Sequence, residues 1–551
     1  MPNKQFNTVP TISRPRTKFD LSYDHKLTMN VGDLVPLGYV QEIYPGDTFD
    51  CDMTVVTRLT SSYLRPVCDN LYLDVMFFFV PHRLVFEDFY SVLGENKNGP
   101  WAQQNPVSVP TVPTTISSQV YESSVADYLG CAPGYYPGGC QILPFRGFAK
   151  IYADWFQDEN FDQPMNIHKG DAIAIDESFN NNAWSAANYF GKLPHVNKFK
   201  DVFTSALPGT QKGSAAGVSM IGQTAPIVAG TSHLFGGKWF MTPSGTYTGD
   251  AYLKMSVETA TGNYGAIGAI TTGNSVVPAD NWSTNMVANL SEAALSIPDI
   301  RNAFQLQKIL ELSARAGTRA PEIIMSHFGV ASPDARLQRS EYLGGKRMPL
   351  SVQQVAQTTR TDSAATQLGS LGAFSLSNGR CGYTKGFVEH GYVFAVGCIR
   401  NYHTYSQGWQ KSYQRTDRFD FYSPVLANLS EVPVYKSEIY ADVASEPALK
   451  GNIWGYQEAW YDLRSHPNTL AGQMRPTSSL SLDIWHYGDD YANQPTLNAA
   501  FLKEVPDFVD RTLAVKYTLS GFDQFMLDIY YKQTAIRCLP AYSVPGLIDH
   551  H

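Results

Sequence analysis

Apolar and polar positions alternate most clearly in two stretches that lie far apart. Near the start, Phe49, Cys51, Met53 and Val55 alternate with Asp50, Asp52 and Thr54, the pattern of a strand with one wet face. Near the end, Phe525, Leu527, Ile529, Tyr531 and Ile536 lie among polar residues with the same near-alternation. Pro540, Pro545 and Gly546 then force a turning tail. Residues 71–80 are almost wholly apolar, which predicts a central strand covered on both faces. Residues 388–399 and 513–519 also read as strands. Strong strands at both ends of the chain predict that the two ends join in one β-domain, a jelly roll carrying large insertions.

Between these strands the pattern changes. Residues 84–95 and 145–156 have the mixed spacing of short helices, with Phe148, Ile151, Tyr152 and Trp155 on one side of the second. Residues 299–316 predict the clearest helix: Asp299 can cap its start after Pro298, and Gly317 can end it. Its stripe of Ala303, Leu306, Leu310 and Ala314 is expected to face the core. Residues 1–43 read as an extended arm, because Pro2, Pro10 and Pro15 block helix and apolar residues are scattered. Residues 204–289 are rich in Gly, Thr, Ser and Ala with very few charges, and Gly262–Gly268 cannot nucleate a helix. Low charge argues against a solvated linker, so this segment is expected to be a compact, mostly β or looped surface insertion. The expected organisation is an arm over 1–43, a first part of the jelly roll over 44–203, the insertion over 204–289, and the remainder over 290–551.

Several long strings sharpen this. They are Pro45-Gly-Asp-Thr-Phe49, Asp69-Asn-Leu-Tyr-Leu-Asp-Val-Met-Phe-Phe-Phe-Val-Pro-His-Arg-Leu84, the stretch from Ser326 to Gly345, Phe387-Val-Glu-His-Gly-Tyr392, and the tail Pro540-Ala-Tyr-Ser-Val-Pro-Gly-Leu-Ile-Asp-His550. In wording and order they resemble the major capsid protein of the gokushoviruses, small single-stranded DNA phages of the Microviridae. The resemblance covers both ends and the middle, with a gap roughly between Val107 and Ile297. It implies an all-β-dominated fold: an eight-stranded antiparallel jelly roll of the viral capsid type, with large loop insertions holding a few helices. It also implies sixty copies in a T=1 icosahedral shell, assembled through pentamers in the bacterial host cytoplasm around packaged single-stranded DNA. The partners it implies are a small basic DNA-binding protein, a scaffolding protein, a pilot protein and a receptor on the host surface. In that family an insertion like 204–289 forms a protrusion proposed to meet the host, which makes Trp239, Tyr247, Tyr252 and Tyr264 the candidate attachment residues.

Composition fits an assembling β-rich chain without requiring one. Aromatics make up 13% of the 551 residues and charged residues only 17%, so much apolar surface is buried or offered to partners. Tyr outnumbers Phe, as at surfaces where one end of a ring stays wet. Net charge is −8, so the chain cannot condense a genome alone. Its one basic feature is the first nineteen residues, where Lys4, Arg14, Arg16 and Lys18 precede the first acid, Asp20; these four are the candidate DNA contacts. Seven widely spaced cysteines, with no Cys-x-x-Cys, suit free thiols; Cys131 and Cys140 flank a loop across which they could meet. No secretory signal or spanning apolar run is evident, so no membrane insertion is expected.

Motifs of catalysis are missing. Gly191-Lys192, Gly237-Lys238 and Gly345-Lys346 are not followed by Ser or Thr, which excludes a Walker loop. There is no Gly-x-Ser-x-Gly elbow and no His-Glu-x-x-His. No catalytic residue, metal site or cofactor is expected. The alternative reading is a β-sandwich that binds or hydrolyses polysaccharide. It would use Asp483, Asp489 and Asp490 near Trp485, His486 and Tyr487, with Trp454, Trp460 and Tyr461 as a stacking surface.

Overall fold

The structure, a computed structural model, describes residues 15–96, 99, 107–113, 119–170, 183–214, 297–359, 368–441 and 450–543, with the backbone of 227–229 and 286–288. The chain divides into two compact units, residues 1–212 with 311–551 and residues 213–310. Strands β1 (Thr17–Asp20), β2 (Tyr23–Met29), β3 (Val35–Ile43), β4 (Thr48–Leu59) and β5 (Leu71–Pro81) open the larger unit. The smaller unit holds β6 (Ile227–Ala229) paired with β7 (Met286–Ala288). The larger unit resumes with β8 (Glu341–Leu350), β9 (Val352–Ala356), β10 (Leu371–Gly386) and β11 (Gly391–Asn401). It ends with the short β12 (Thr404–Tyr405), β13 (Val432–Tyr435), β14 (Ile453–Gln457) and β15 (Asn468–Thr469), and the long β16 (Phe525–Arg537).

Two antiparallel sheets form a sandwich. One runs β1-β16-β4-β10-β9 with β2 also on β16, and the other runs β3-β11-β5-β8. β16 pairs along the whole of β4, from Phe525 opposite Leu59 to Ile536 opposite Thr48, so the last strand is central to the sheet. The predicted alternation appears as burial: Phe525, Leu527, Ile529 and Tyr531 point in, while Met526, Asp528, Tyr530 and Lys532 point out. Ile536 falls on the outer face, because the period of two assigns the inner place to Ala535. β5 is covered on both sides, as its apolar run predicts. Phe77 meets Tyr383 of the opposite sheet at 5.1 Å, and Phe78 on the other face meets Trp155 at 5.3 Å.

The sandwich interior is rich in tyrosine. The Tyr39 and Tyr383 hydroxyls lie 2.8 Å apart, the Tyr531 hydroxyl donates to the Leu37 carbonyl at 2.8 Å, and the Tyr39 and Tyr531 rings are 4.9 Å apart. Part of the tyrosine surplus thus serves the core, where each hydroxyl finds an internal partner.

Residues 17–43 are not an arm. β1 and β2 form one interrupted edge along β16, and β3 is the edge of the second sheet. The prolines that suggest an arm lie before Thr17, while Pro36 sits in an edge strand where the register with β11 shifts, a place that tolerates a missing N–H. Lys4 and Arg14 lie outside the described residues.

Two long insertions leave the sandwich from opposite ends. Gly391 of β11 faces Pro81 of β5 and Asn401 faces Leu71, so residues 82–340 emerge at one end and residues 402–524 at the other. The first insertion carries helices α1 (Phe89–Val92), α2 (Val125–Tyr128) and α3 (Leu143–Ile151), the last continuing into a π turn over Tyr152–Phe156. α3 crosses β11 so closely that a Cβ on Gly147 would stand 2.8 Å from the Phe394 ring. Later come α4 (Ile297–Ala316) and α5 (Ala320–Phe328).

α4 ends at Gly317, whose φ of 97° is the left-handed turn predicted for it. Its stripe departs from expectation: only Ala314 is buried, and Leu306 is exposed. Two of the four stripe residues are alanines, while the larger Phe304 and Ile309 lie off the stripe and are also exposed. Residues 513–519 are not a strand either. Leu513 makes a single bridge to Tyr63, and the Asp510 carboxylate then accepts from the Tyr517 and Thr518 N–H groups, curling the chain into a helical turn.

Candidate functional site

The two insertions meet over the β3-β11-β5-β8 sheet, and the meeting point is polar. His403, two residues beyond β11, sits with Nδ1 2.7 Å from Asp489 and Nε2 3.1 Å from Glu504. Lys198 of the first insertion lies 3.8 Å from the Asp489 carboxylate, and the Tyr491 hydroxyl donates to that carboxylate at 2.5 Å. All four ionisable side chains are buried, with Glu504 fully enclosed. Burial alone would lower the His403 pKa, but the Asp489 and Glu504 carboxylates outweigh it and raise it to about 9. Burial would raise Asp489, yet the His403 imidazolium and Lys198 hold it at about 2. The site is a balanced set of two cations and two anions drawn from four segments.

Beside it lies a second knot. Arg347 of β8 and Arg400 of β11 both bind Asp74 of β5, Arg347 at 2.7 Å. Both guanidinium groups also cover the Phe199 ring, at 4.1 and 4.2 Å from its centre. An apolar cluster completes the junction, with Val202 and Phe203 of the first insertion packed among Tyr405, Trp454 and Phe501 of the second. These groups can clamp one insertion to the other. They cannot act on a substrate, because both imidazole nitrogens are engaged and the carboxylates are enclosed.

The same geometry dissolves the sugar-site alternative. Asp489 is locked in the junction. The Tyr487 hydroxyl donates to the Tyr63 hydroxyl at 2.9 Å inside the core, and His486 Nε2 lies 2.6 Å from the Met474 carbonyl. The Trp454 and Trp460 indoles donate to the carbonyls of Pro495 and Leu426, and the Tyr461 hydroxyl donates to Glu438. Asp483 and Trp485 form a short helical turn, and Asp490 is exposed near Gln407. These residues are structural ties and do not converge on one cleft. Among the described residues no His, Cys, Asp and Glu group is arranged to hold a metal ion, and no helix is long and apolar enough to cross a membrane. All seven cysteines are free thiols.

Of the candidate DNA contacts, Arg16 and Lys18 are described and both are exposed at the end of the β1–β16 edge, where Lys18 pairs with Ile536. Arg16 lies over the Gly46–Asp47 turn, and Arg537 ion-pairs with Asp47 at 3.1 Å. The Arg16 and Arg537 guanidiniums thus both act on Asp47, and the Glu42 carboxylate, which accepts from the Tyr44 hydroxyl at 2.9 Å, lies in the same corner. Trp239, Tyr247, Tyr252 and Tyr264 lie outside the described residues.

Sequence reasoning missed the junction and also a surface. Within residues 409–430, Trp409, Tyr413, Phe419, Phe421, Tyr422 and Val425 are all exposed, Phe419 at 75% and Val425 at 91%. A signal was present in the clustering of five aromatics within fourteen residues that show neither helical nor strand periodicity.

Comparison with known proteins gives this arrangement its context. Residues 7–547 match the family model described as capsid protein (F protein). The chain is 36% identical over 556 residues to capsid protein VP1 of Spiroplasma virus 4, covering 97% of this chain and 95% of that protein. It is 34% identical to capsid protein VP1 of Chlamydia phage 1, covering 98% and 97%, and 35% identical to capsid protein VP1 of Bdellovibrio phage phiMH2K, also covering 98% and 97%.

Proposed function

The chain belongs to the capsid protein (F protein) family, and from that premise we propose how it builds its shell. It is a structural capsid protein of the virion and not an enzyme. The barrel is read as an eight-stranded jelly roll. Without the short outer strands β1 and β9, the sheets run β2-β16-β4-β10 and β3-β11-β5-β8, an interleaving of early and late strands that supports two nested Greek keys. Sixty copies would close a T=1 shell through pentamers around single-stranded DNA. The full-length match to phage capsid proteins carries this reading.

Arg16 and Lys18, with Lys4 and Arg14 before them, are proposed to touch the packaged genome, and the exposure of Arg16 and Lys18 supports it. Four cations cannot neutralise a genome, so a separate small basic protein is proposed to supply most of the charge, with scaffolding and pilot proteins assisting assembly in the host cytoplasm. Residues 204–289, including Trp239, Tyr247, Tyr252 and Tyr264, are proposed to meet a bacterial surface receptor.

Negative-stain electron microscopy of the protein co-expressed with the phage assembly proteins tests the core reading. Uniform small icosahedral particles are expected, and single molecules under every condition would reject it. Deleting 204–289 should leave particles that adsorb poorly; loss of particles would make the segment structural. Reversing the charge of Arg14 and Arg16 should lower packaged DNA while empty shells still form.

A further inference from the structure

Residues 409–430 carry a dense run of exposed apolar side chains. Single exposed apolar residues are ordinary, but here Trp409, Tyr413, Phe419, Phe421, Tyr422 and Val425 crowd into one short segment. Taking roughly 200 Å² for each aromatic side chain, their summed exposed area is on the order of 700 Å². It is close to the ~800 Å² that each partner contributes to a standard protein interface.

The segment is also held in shape. Lys411 reaches the Glu438 carboxylate at 2.9 Å and the Pro433 carbonyl at 2.8 Å, and Arg415 binds Asp462 at 2.6 Å. Asp420 accepts the backbone N–H groups of Thr416 and Asp417, each at 2.9 Å, and also binds Lys450. Its polar groups fix the loop while its rings face outward, so little ordering cost remains when a partner covers them. Between Phe419, Leu429, Tyr435 and Trp460 lies a concavity of about 190 Å³, which the charged Lys411, Arg415, Asp420, Lys450 and Asp462 also line.

We propose that residues 409–430 form a contact between two copies of this chain, a twofold interface of the shell. This rests on the capsid reading above. Two observations fit a second copy of this chain. The patch has the area of half an interface, and it is charged in a self-complementary way, with Asp417 and Arg418 adjacent and both exposed beside Phe419. A surface that carries both signs can meet its own twofold mate with opposite charges opposed.

The test is the paired variant Phe419→Asp with Val425→Asp, co-expressed with the assembly proteins and set beside the unaltered chain and the conservative Phe419→Leu. The aspartates should cut the yield of closed shells roughly tenfold or more, leaving pentamers or single chains in sedimentation. The melting temperature of the purified chain should stay unchanged, and Phe419→Leu should assemble. Normal shell yield from the aspartate variant would overturn the proposal. So would shells that form but fail to adsorb, which would turn the patch toward the host, and so would a fallen melting temperature, which would mean the chain itself covers it. Failure of the unaltered chain to form shells would reject the capsid reading instead.

Discussion

The interior of the sandwich and the junction of the two insertions are equally dry but are held by different forces. Between the sheets, Phe77, Phe49, Val55 and Leu527 are excluded from water, and the polar groups present are uncharged, among them tyrosine hydroxyls that pair with one another or with carbonyls and the Gln533 amide that donates to Gln41. At the junction, His403, Lys198, Asp489 and Glu504 are buried as ions among segments that share no sheet. Apolar packing is non-directional and tolerates small adjustments. A buried ion set is tolerable only when every partner is present, so it ties loops into one arrangement.

The sharpest way to break this contrast is a deletion on each side. Phe77→Ala removes a ring packed against Tyr39 and Tyr383, and is expected to cost about 3–5 kcal/mol, equally at mildly acidic and mildly alkaline pH. Denaturant unfolding at the two pH values checks it, and a pH-dependent loss would erase the distinction. Asp489→Asn leaves the His403 imidazolium with one carboxylate fewer, and should cost about 3 kcal/mol. It should also lower the His403 pKa, which a ring-proton titration by magnetic resonance reads directly.

In the unaltered chain the junction should supply its own pH dependence. His403 is raised from its ordinary 6.5 to about 9, so its contribution is complete below pH 6.5 and is lost as pH climbs through 9. Asp489 is lowered from its ordinary 3.8 to about 2, so its contribution is complete above pH 3.8 and is lost as pH falls through 2. The His403 limb should amount to about 3 kcal/mol and the Asp489 limb to about 2 kcal/mol, seen as the difference in melting between the unaltered chain and Asp489→Asn across the pH range. Parallel profiles for the two proteins would show that the junction carries no such charge. The smallest effect is expected on the wet face of the sandwich. Arg380→Ala, which removes the exposed pair with Asp52, should leave the unfolding midpoint almost unchanged, and less changed still in high salt.

Much of the sandwich was legible before folding was considered. The alternation of β4 and β16 and the unbroken apolar run of β5 name their own faces, because strand period and burial are local properties. The two edge strands β2 and β3 were not legible. β2 is mostly polar, Pro36 and Gly38 interrupt the apolar positions of β3 with turn-forming residues, and pairing with β16 and β11 supplies hydrogen bonds that the sequence pattern does not advertise. The junction was illegible for a related reason. Lys198, His403, Asp489 and Glu504 are scattered through the chain, and Asp489 stands among aromatics that suggest a sugar cleft until its partners are seen.

By itself, then, the amino-acid order determined the central strands, the union of the chain's two ends in one β-domain and, through long strings of residues, the capsid family. The tertiary structure alone decided which insertion meets which, which charges are sealed together, and which aromatics are left facing outward. Those outcomes depend on distances between residues hundreds of positions apart, which only the register of the sheets and the paths of the loops can set.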